Sequence, residues 1–519
     1  MGNKLVRGSL IIFIGNIIFR IGGYVYRFLM ATLLGPTAFG ILNITMSNQG
    51  IFQTLASGGL PPAISKYIAE YEAVDDHDMA RQTIYTSLKM MVFMGLLLGF
   101  LMIFVIGPLM AVFLKKPETM VPLQIIGCIT PFSVVLGAFR GAFQGVYKME
   151  YIVYTRAVEQ LFMILFATAF VLIGLSAVGA VWGTVIGYAL AALSAVYIFK
   201  VYMPKYIPEY SDDFVFTHKD ELKLGIKLVK FAIPVIITAI AEMLIFNICT
   251  IVMGKFLTLA EVGFFGAADP IARLPLMISI SVATTILPAS SEAFKLHDVE
   301  ALQKYVEQSY KISLLFVIPM CIGLALFAVP ILQLFYFKNP SYVNGASALA
   351  LLSIGMAFYS IFAISTSIVQ GIGNPRIPMY ILVFGSIVTG VLSWVLAPIL
   401  GIAGGATATT IACFMMMVPC VYFALKLTKT KPPTLSVVKI IAATAIMGIV
   451  GYFIPKTTLL LFPGIILCMV VYFFALILVK FFTKDDIETL RGYSSKLGPL
   501  AKFIDRLLNL VEKLEFRNQ

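Results

Sequence analysis

Apolar runs close to the ~20 residues that a helix needs to cross a bilayer recur along almost the whole chain, separated by short polar, Pro-rich or charged breaks. The pattern predicts membrane spans near 9–31, 40–62, 84–114, 121–146, 153–175, 178–200, 226–254, 262–290, 310–337, 343–371, 376–398, 402–427, 436–454 and 459–482. Runs of this length satisfy their backbone groups in lipid only as helices. The expectation is therefore an all-α integral membrane protein with about fourteen transmembrane helices. After Thr483 the pattern becomes amphipathic, with Leu497, Leu500, Ile504, Leu507, Val511 and Leu514 between Lys502, Arg506 and Lys513, as in a helix lying on a membrane surface.

The spans carry a weak internal repeat. Leu34 and Gly40 are matched by Leu257 and Gly263, Pro62-Ala63 and Ser65 by Pro288-Ala289 and Ser291, Gln144-Gly145 by Gln370-Gly371, and Gly179 and Thr184 by Gly404 and Thr409. The offsets by subtraction are 223, 226, 226 and 225 residues, in one order along the chain. Each copy holds an even number of spans, which predicts two parallel six-helix lobes related by an axis along the membrane normal, with two extra C-terminal helices. The expected division is 1–205 for the first lobe, 206–225 for a cytoplasmic linker, 226–430 for the second lobe, 431–482 for spans thirteen and fourteen, and 483–519 for the tail. Such a duplicated bundle is a scaffold of alternating-access transporters.

Composition supports this picture. Of 519 residues 60% are hydrophobic and 12% charged, and the mean hydropathy is +0.95. The net charge of +12 reflects topology rather than nucleic-acid binding. With the N-terminus inside, the outer loops hold only Lys115, Lys116, Lys255, Lys338 and Lys456, and most of the other basic residues fall on the cytoplasmic side. Both termini are thus expected in the cytoplasm. Arg20 interrupts the first apolar run, which reads as a retained span and not a cleaved leader. The six cysteines lie in apolar runs without metal-ligand spacing, so no metal or cofactor is expected. No G-x-x-x-x-G-K-[ST] loop is present, which argues against nucleotide hydrolysis. The Gly179/Gly183/Gly187, Gly141/Gly145 and Gly401/Gly405 ladders read as helix-packing surfaces.

Charges inside spans cost about 2.5–3.5 kcal/mol each on insertion scales, so each needs a reason. Asn16, Arg20, Gly23 and Arg27 share one helical face. Two arginines on one stripe suit an anionic head group, since guanidinium pairs bidentately with phosphate. Asp269 and Arg273 form an i,i+4 pair in a span bent by Pro270 and Pro275. Glu159 and Glu242 are lone acids, suited to a coupling cation or proton, or to serve as counter-ions of Arg20 and Arg27. Arg140, Lys148 and Arg156 fall on the inner rim, where the positive-inside bias accounts for them.

These residues together resemble a family. Phe139-Arg140-Gly141-Ala142-Phe143-Gln144-Gly145 through Val158-Glu159-Gln160, Ala63-Ile64-Ser65-Lys66-Tyr67 through Tyr71, Leu287-Pro288-Ala289, and Gln370-Gly371 with Asn374-Pro375-Arg376 resemble stage V sporulation protein B-like proteins of the polysaccharide transporter group. That group is similar to lipid II flippases and, more distantly, to multidrug and toxin extruders. The resemblance implies a flippase, not an enzyme, that moves a polyprenyl-(pyro)phosphate-linked oligosaccharide or cell-envelope polysaccharide precursor across the plasma membrane by alternating access. It implies cationic cavity residues, for which Arg20, Arg27 and Arg273 are the matching candidates. Cys249 stands where many relatives carry an acid. Expected partners are the lipid-linked sugar, membrane lipids and envelope-glycan synthesis enzymes, with no nucleic acid, and a monomer is expected. The competing readings are a cation-coupled exporter of organic cations and a membrane-embedded transferase using the same lipid donors.

Overall fold

In the computed structural model of the chain, residues 2–57, 59–211 and 214–481 are described, with side chains from Phe19 onward. The amphipathic tail after Thr483 and the side chain of Asn16 lie outside the described residues. The described chain is helical and without strands. In order the helices are α1 (Gly2–Ser57), α2 (Leu60–Glu72), α3 (His77–Leu101), α4 (Gly107–Leu114), α5 (Met120–Ile126), α6 (Ile129–Gly145), α7 (Met149–Phe170), α8 (Ser176–Tyr202), α9 (His218–Phe256) and α10 (Leu259–Ala272). They continue as α11 (Leu276–Lys295), α12 (Val299–Leu326), α13 (Ala328–Phe335), α14 (Ala346–Gly371), α15 (Arg376–Leu400), α16 (Ile402–Thr428), α17 (Thr434–Phe453) and α18 (Leu461–Leu478). Twelve helical stretches among the described residues are long and apolar enough to cross a membrane, and two of these, Phe19–Glu72 and Met149–Lys205, run for 54 and 57 residues.

The backbone shows why these two stretches are so long. Within α1, Gly35 adopts φ 70° and ψ 173°, followed by Pro36. A left-handed glycine and a residue without an N–H break the helix between the two spans predicted at 9–31 and 40–62. Gly174 at φ 97° does the same between α7 and α8. The span predicted at 262–290 is divided: α10 ends at Ala272 and α11 begins at Leu276, with Arg273-Leu274-Pro275 as a turn between them. Pro275 donates no hydrogen bond and disfavours helical geometry at Leu274, so the expected bend is a break.

The repeat reappears in local geometry. Tyr147 follows α6 at φ 60° and Gly373 follows α14 at φ 87°. In the first copy Tyr147 N bonds Gln144 O at 3.1 Å and Lys148 N bonds Phe143 O at 2.8 Å; in the second, Gly373 N bonds Gln370 O and Asn374 N bonds Val369 O, both at 3.0 Å. Both copies therefore close the same helix with the same left-handed cap. Gly145 packs α6 onto Ile68 of α2, and Gly371 packs α14 onto Leu287 and Ser290 of α11. Asp76 and Asp298 cap α3 and α12, each accepting a backbone N–H at 3.0 and 2.9 Å.

The described residues form two compact units. The first holds everything up to Pro270, with Tyr336–Gly345 and Leu382–Thr409. One core in it joins α2, α3, α6, α8 and the start of α9 through Ile64, Ile84, Phe139, Phe143, Ile198 and Leu228. Here the glycine ladders let backbones touch: a Cβ on Gly183 would strike Ala167 of α7, and one on Gly141 would strike Pro61 of α2. At the end of this unit marked by the Gly35 kink, Gly40 and Gly263 pack reciprocally. A Cβ on Gly40 would strike the Leu259 carbonyl, and a Cβ on Gly263 would strike the Pro36 carbonyl. The loop Tyr336–Gly345 seals this crossing: Tyr342 Oη donates to Ala31 O at 2.8 Å, Tyr336 Oη to Ala267 O at 3.1 Å, and Asn339 Nδ2 to Thr32 O at 3.0 Å.

The second unit holds Ile271–Phe335, Ala346–Ile381 and the described chain from Thr410 on. Its core joins α11, α12, α14, α16, α17 and α18 through Ile286, Val306, Ile364, Ile368, Ala443 and Leu476. Tyr310 Oη meets Ser365 Oγ at 2.6 Å, and Tyr472 Oη donates to Leu315 O at 2.8 Å. An apolar cavity of about 280 Å³ lies between α12, α14, α16 and α17, lined by Ile361, Met417, Val421 and Val437.

Candidate functional site

The first half of α1 carries the site, and its rotation is fixed by small and aromatic residues. Gly15 packs against Val153, the Arg156 guanidinium lies 5.3 Å from the centroid of the Phe19 ring, and Gly22 packs against Gln160. One turn on, Tyr26 Oη meets Thr184 Oγ1 at 3.3 Å. Residues 15, 19, 22 and 26 thus form the face of α1 that beds on α7 and α8. Arg20 and Arg27 stand about 100° round the helix from Phe19 and Tyr26 and leave this seam.

Within the first unit, Arg27 pairs with an acid of the second copy, and Arg20 lies within electrostatic reach of another. Arg27 Nη1 lies 3.6 Å from Asp269 Oδ2 of α10, with side chains 43% and 11% exposed. Arg20, which is exposed, lies within electrostatic reach of Glu242 on α9, also exposed. The stripe expected from spacing is present, but its charges face acids. The sequence could not show this, because the acids lie more than 200 positions away. Asp269 lies in α10, and Arg273, expected as its i,i+4 neighbour in a bent span, sits in the turn before α11.

Glu159 is answered inside the first copy. Arg140 Nη2 donates to Glu159 Oε2 at 2.8 Å, and Arg140 Nε donates to Thr155 Oγ1 at 3.1 Å. The two charged side chains are 18% and 5% exposed. Glu159 is therefore a counter-ion, with Arg140 as its partner. Arg140 is the residue that sequence reasoning missed, since the positive-inside bias explained it too easily. The available signal was Arg140 preceding Thr155 and Glu159 on the next span, one helical turn apart from each other.

Gln144, Gly145, Gln370 and Gly371 build helix ends and interhelical contacts, as described above. The described cysteines form no disulfide with one another, and no group of three or more metal-ligating side chains occurs among the described residues.

Comparison with known proteins places this geometry. Residues 5–294 match the family described as polysaccharide biosynthesis protein, and residues 153–473 match the family described as lipid II flippase. An uncharacterized membrane protein of Methanocaldococcus jannaschii is 27% identical over 82% of this chain and 99% of its own. The lipid II flippase of Bacillus subtilis is 23% identical over 79% of this chain and 80% of its own, and stage V sporulation protein B of the same organism is 25% identical over 86% and 88%. Among solved structures, a lipid II flippase in an inward closed conformation superposes with a TM-score of 0.73 at 18% identity, covering 89% of this chain and 97% of that one. An inward-facing multidrug resistance transporter gives 0.69 at 16% identity, covering 79% and 94%. These superpositions establish a shared fold.

Proposed function

Because the chain belongs to the polysaccharide biosynthesis protein family and most of its second half matches the lipid II flippase family, we propose that it is a flippase for a polyprenyl-(pyro)phosphate-linked oligosaccharide or envelope polysaccharide precursor. Transport, not catalysis, is its task. The observation that carries the reading is the α1 stripe, where Arg20 and Arg27 stand partly exposed opposite Glu242 and Asp269. An ion pair at 3.6 Å with a 43% exposed arginine is open to exchange. A diphosphate offers a guanidinium two parallel acceptors. Substrate entry would then trade acid partners for phosphate. Because the acids sit on α9 and α10 of the second copy, the trade would release a contact between the two copies. Recognition of the head group and opening of the α1–α10 contact become one event, which is the coupling that alternating access requires. In this reading the two copies act as lobes, the protein lies in the plasma membrane with both termini cytoplasmic, and lipid tails stay in the bilayer.

The acids Glu242 and Asp269 also suit a cation-coupled exporter of organic cations, and one experiment separates the two. The protein in liposomes is offered lipid-linked sugars and, in parallel, a cationic dye. The flippase reading expects translocation of the lipid-linked sugar only, lost in Arg20→Ala and Arg27→Ala with folded protein retained, and partly restored by lysine. Dye transport that survives both alanine variants, with no sugar translocation, refutes it.

A further inference from the structure

The polar cluster behind the α1 stripe has a composition that packing does not explain. It gathers Arg140 from α6, Thr155, Arg156, Glu159 and Gln160 from α7, Tyr188 from α8, and Gln49 and Gln53 from the second half of α1, all in the first unit. Gln49 Nε2 donates to Gln53 Oε1 at 2.6 Å, and Tyr188 Oη donates to the same oxygen at 3.4 Å. Arg140, Arg156, Tyr188, Gln49 and Gln53 are all half-buried, so the cluster is neither sealed core nor open surface. Two guanidiniums accompany one carboxylate, an excess positive charge in membrane-spanning helices. Gln160 is 8% exposed, its stem held against Gly22 of α1, and its Nε2 has no hydrogen-bond partner. A buried amide donor left unmatched is costly unless another state of the protein matches it.

The second copy supplies a control. At the 226-residue offset of the Gln144/Gln370 motif, Arg140 becomes Thr366, Thr155 becomes Ile381, Arg156 becomes Leu382, Glu159 becomes Gly385 and Gln160 becomes Ser386. The second copy keeps the same helix caps and the same glycine packing without any of these charges. The cluster is therefore not required by the bundle.

We infer that Arg156 and Gln160, which lie beside the Arg140–Glu159 pair, form a second recognition subsite for an oxyanion on a hydroxyl-rich head group. The inference rests on the flippase reading and deepens it. The guanidinium and the unmatched amide take the oxyanion, and the Tyr188, Gln49 and Gln53 groups take sugar hydroxyls. Arg140 and Glu159 already spend their strongest hydrogen bond on each other and take no part in holding the ligand. The oxyanion is either the carboxylate of an acidic sugar or the diphosphate itself.

The test uses the full chain in nanodiscs and three probes: a polyprenyl diphosphate without sugar, one bearing a neutral N-acetylhexosamine disaccharide, and one whose outer sugar is a uronic acid. Arg156→Gln is expected to weaken binding about tenfold or more. The loss falls on the uronate probe alone if the carboxylate is the ligand, and on all three if the diphosphate is. Arg156→Lys should recover part of the loss. Gln160→Leu should weaken the same probe or probes while leaving the melting temperature at or above the parent's, because an unmatched buried donor has been removed. Parental affinity for all three probes in both variants overturns the subsite, as does a loss that merely follows a lowered melting temperature. Failure of the parent to bind any probe overturns both the subsite and the flippase reading. Parental binding by Arg20→Ala, with loss in Arg156→Gln, removes the α1 stripe from head-group recognition and leaves the subsite standing.

Discussion

At the scale of single residues, the charges divide by what they can afford to release. Arg140 and Glu159 are locked at 2.8 Å with little exposure, and removing either partner leaves the other buried and unpaired. Arg140→Ala should therefore lose about 3–5 kcal/mol of stability. Thermal unfolding in detergent checks this, with the double variant Arg140→Met/Glu159→Leu expected to recover most of the loss. Arg27 and Asp269 differ: their pair is longer, at 3.6 Å, and its guanidinium is 43% exposed. Asp269→Asn should lower stability less than Arg140→Ala does, while altering transport. These two outcomes together separate a structural ion pair from an exchangeable one.

At the scale of elements, close backbone contact joins the two copies alongside the Arg27–Asp269 pair. Gly40 and Gly263 each lie against a carbonyl of the other's helix, and repeat-related positions make the reciprocal contact. Neither site has room for a methyl group. Gly40→Ala or Gly263→Ala should open this crossing while leaving each copy's own core intact. Cysteines placed at Pro36 and Leu259, next to the contact, should become several-fold more reactive toward a water-soluble thiol reagent; unchanged labelling would show that the crossing does not set access. The segment after α8 is another ordered element. Arg81 Nη1 donates to Pro208 O at 2.7 Å, Tyr210 Oη donates to Gln82 Oε1 at 2.8 Å, and Ser211 N donates to Asp78 Oδ1 at 2.9 Å. The chain from Ile207 to Ser211 is thus tied to the start of α3. Arg81→Ala should expose it to limited proteolysis, with faster cleavage between Lys205 and Lys219 as the measured change.

At the scale of the whole molecule, the charge bias supports the proposed orientation with both termini inside, which predicts labelling. A cysteine at Lys456 should react with a membrane-impermeant reagent from outside only, and one at Lys431 only after permeabilisation. The reverse pattern would invert the topology and place the Gly40–Gly263 crossing on the cytoplasmic side.

The sequence by itself determined the fold class, the membrane setting and the duplication. Helix length in lipid is set by apolar run length, and caps and kinks are set by local residues such as Gly35-Pro36, Gln144-Gly145 and Gln370-Gly371. It also determined that Arg20 and Arg27 share a face, because helical periodicity is a short-range property. Only the tertiary structure decided which acid faces which arginine. Glu242 and Asp269 meet the α1 stripe from the other copy, and Glu159 turns away from it to Arg140 on the neighbouring helix. Pairing of charges across helices depends on how each helix is rotated in the bundle. That rotation is fixed by contacts such as Gly22 on Gln160 and Gly40 on Leu259, between residues far apart in the chain, for which hydropathy carries no signal.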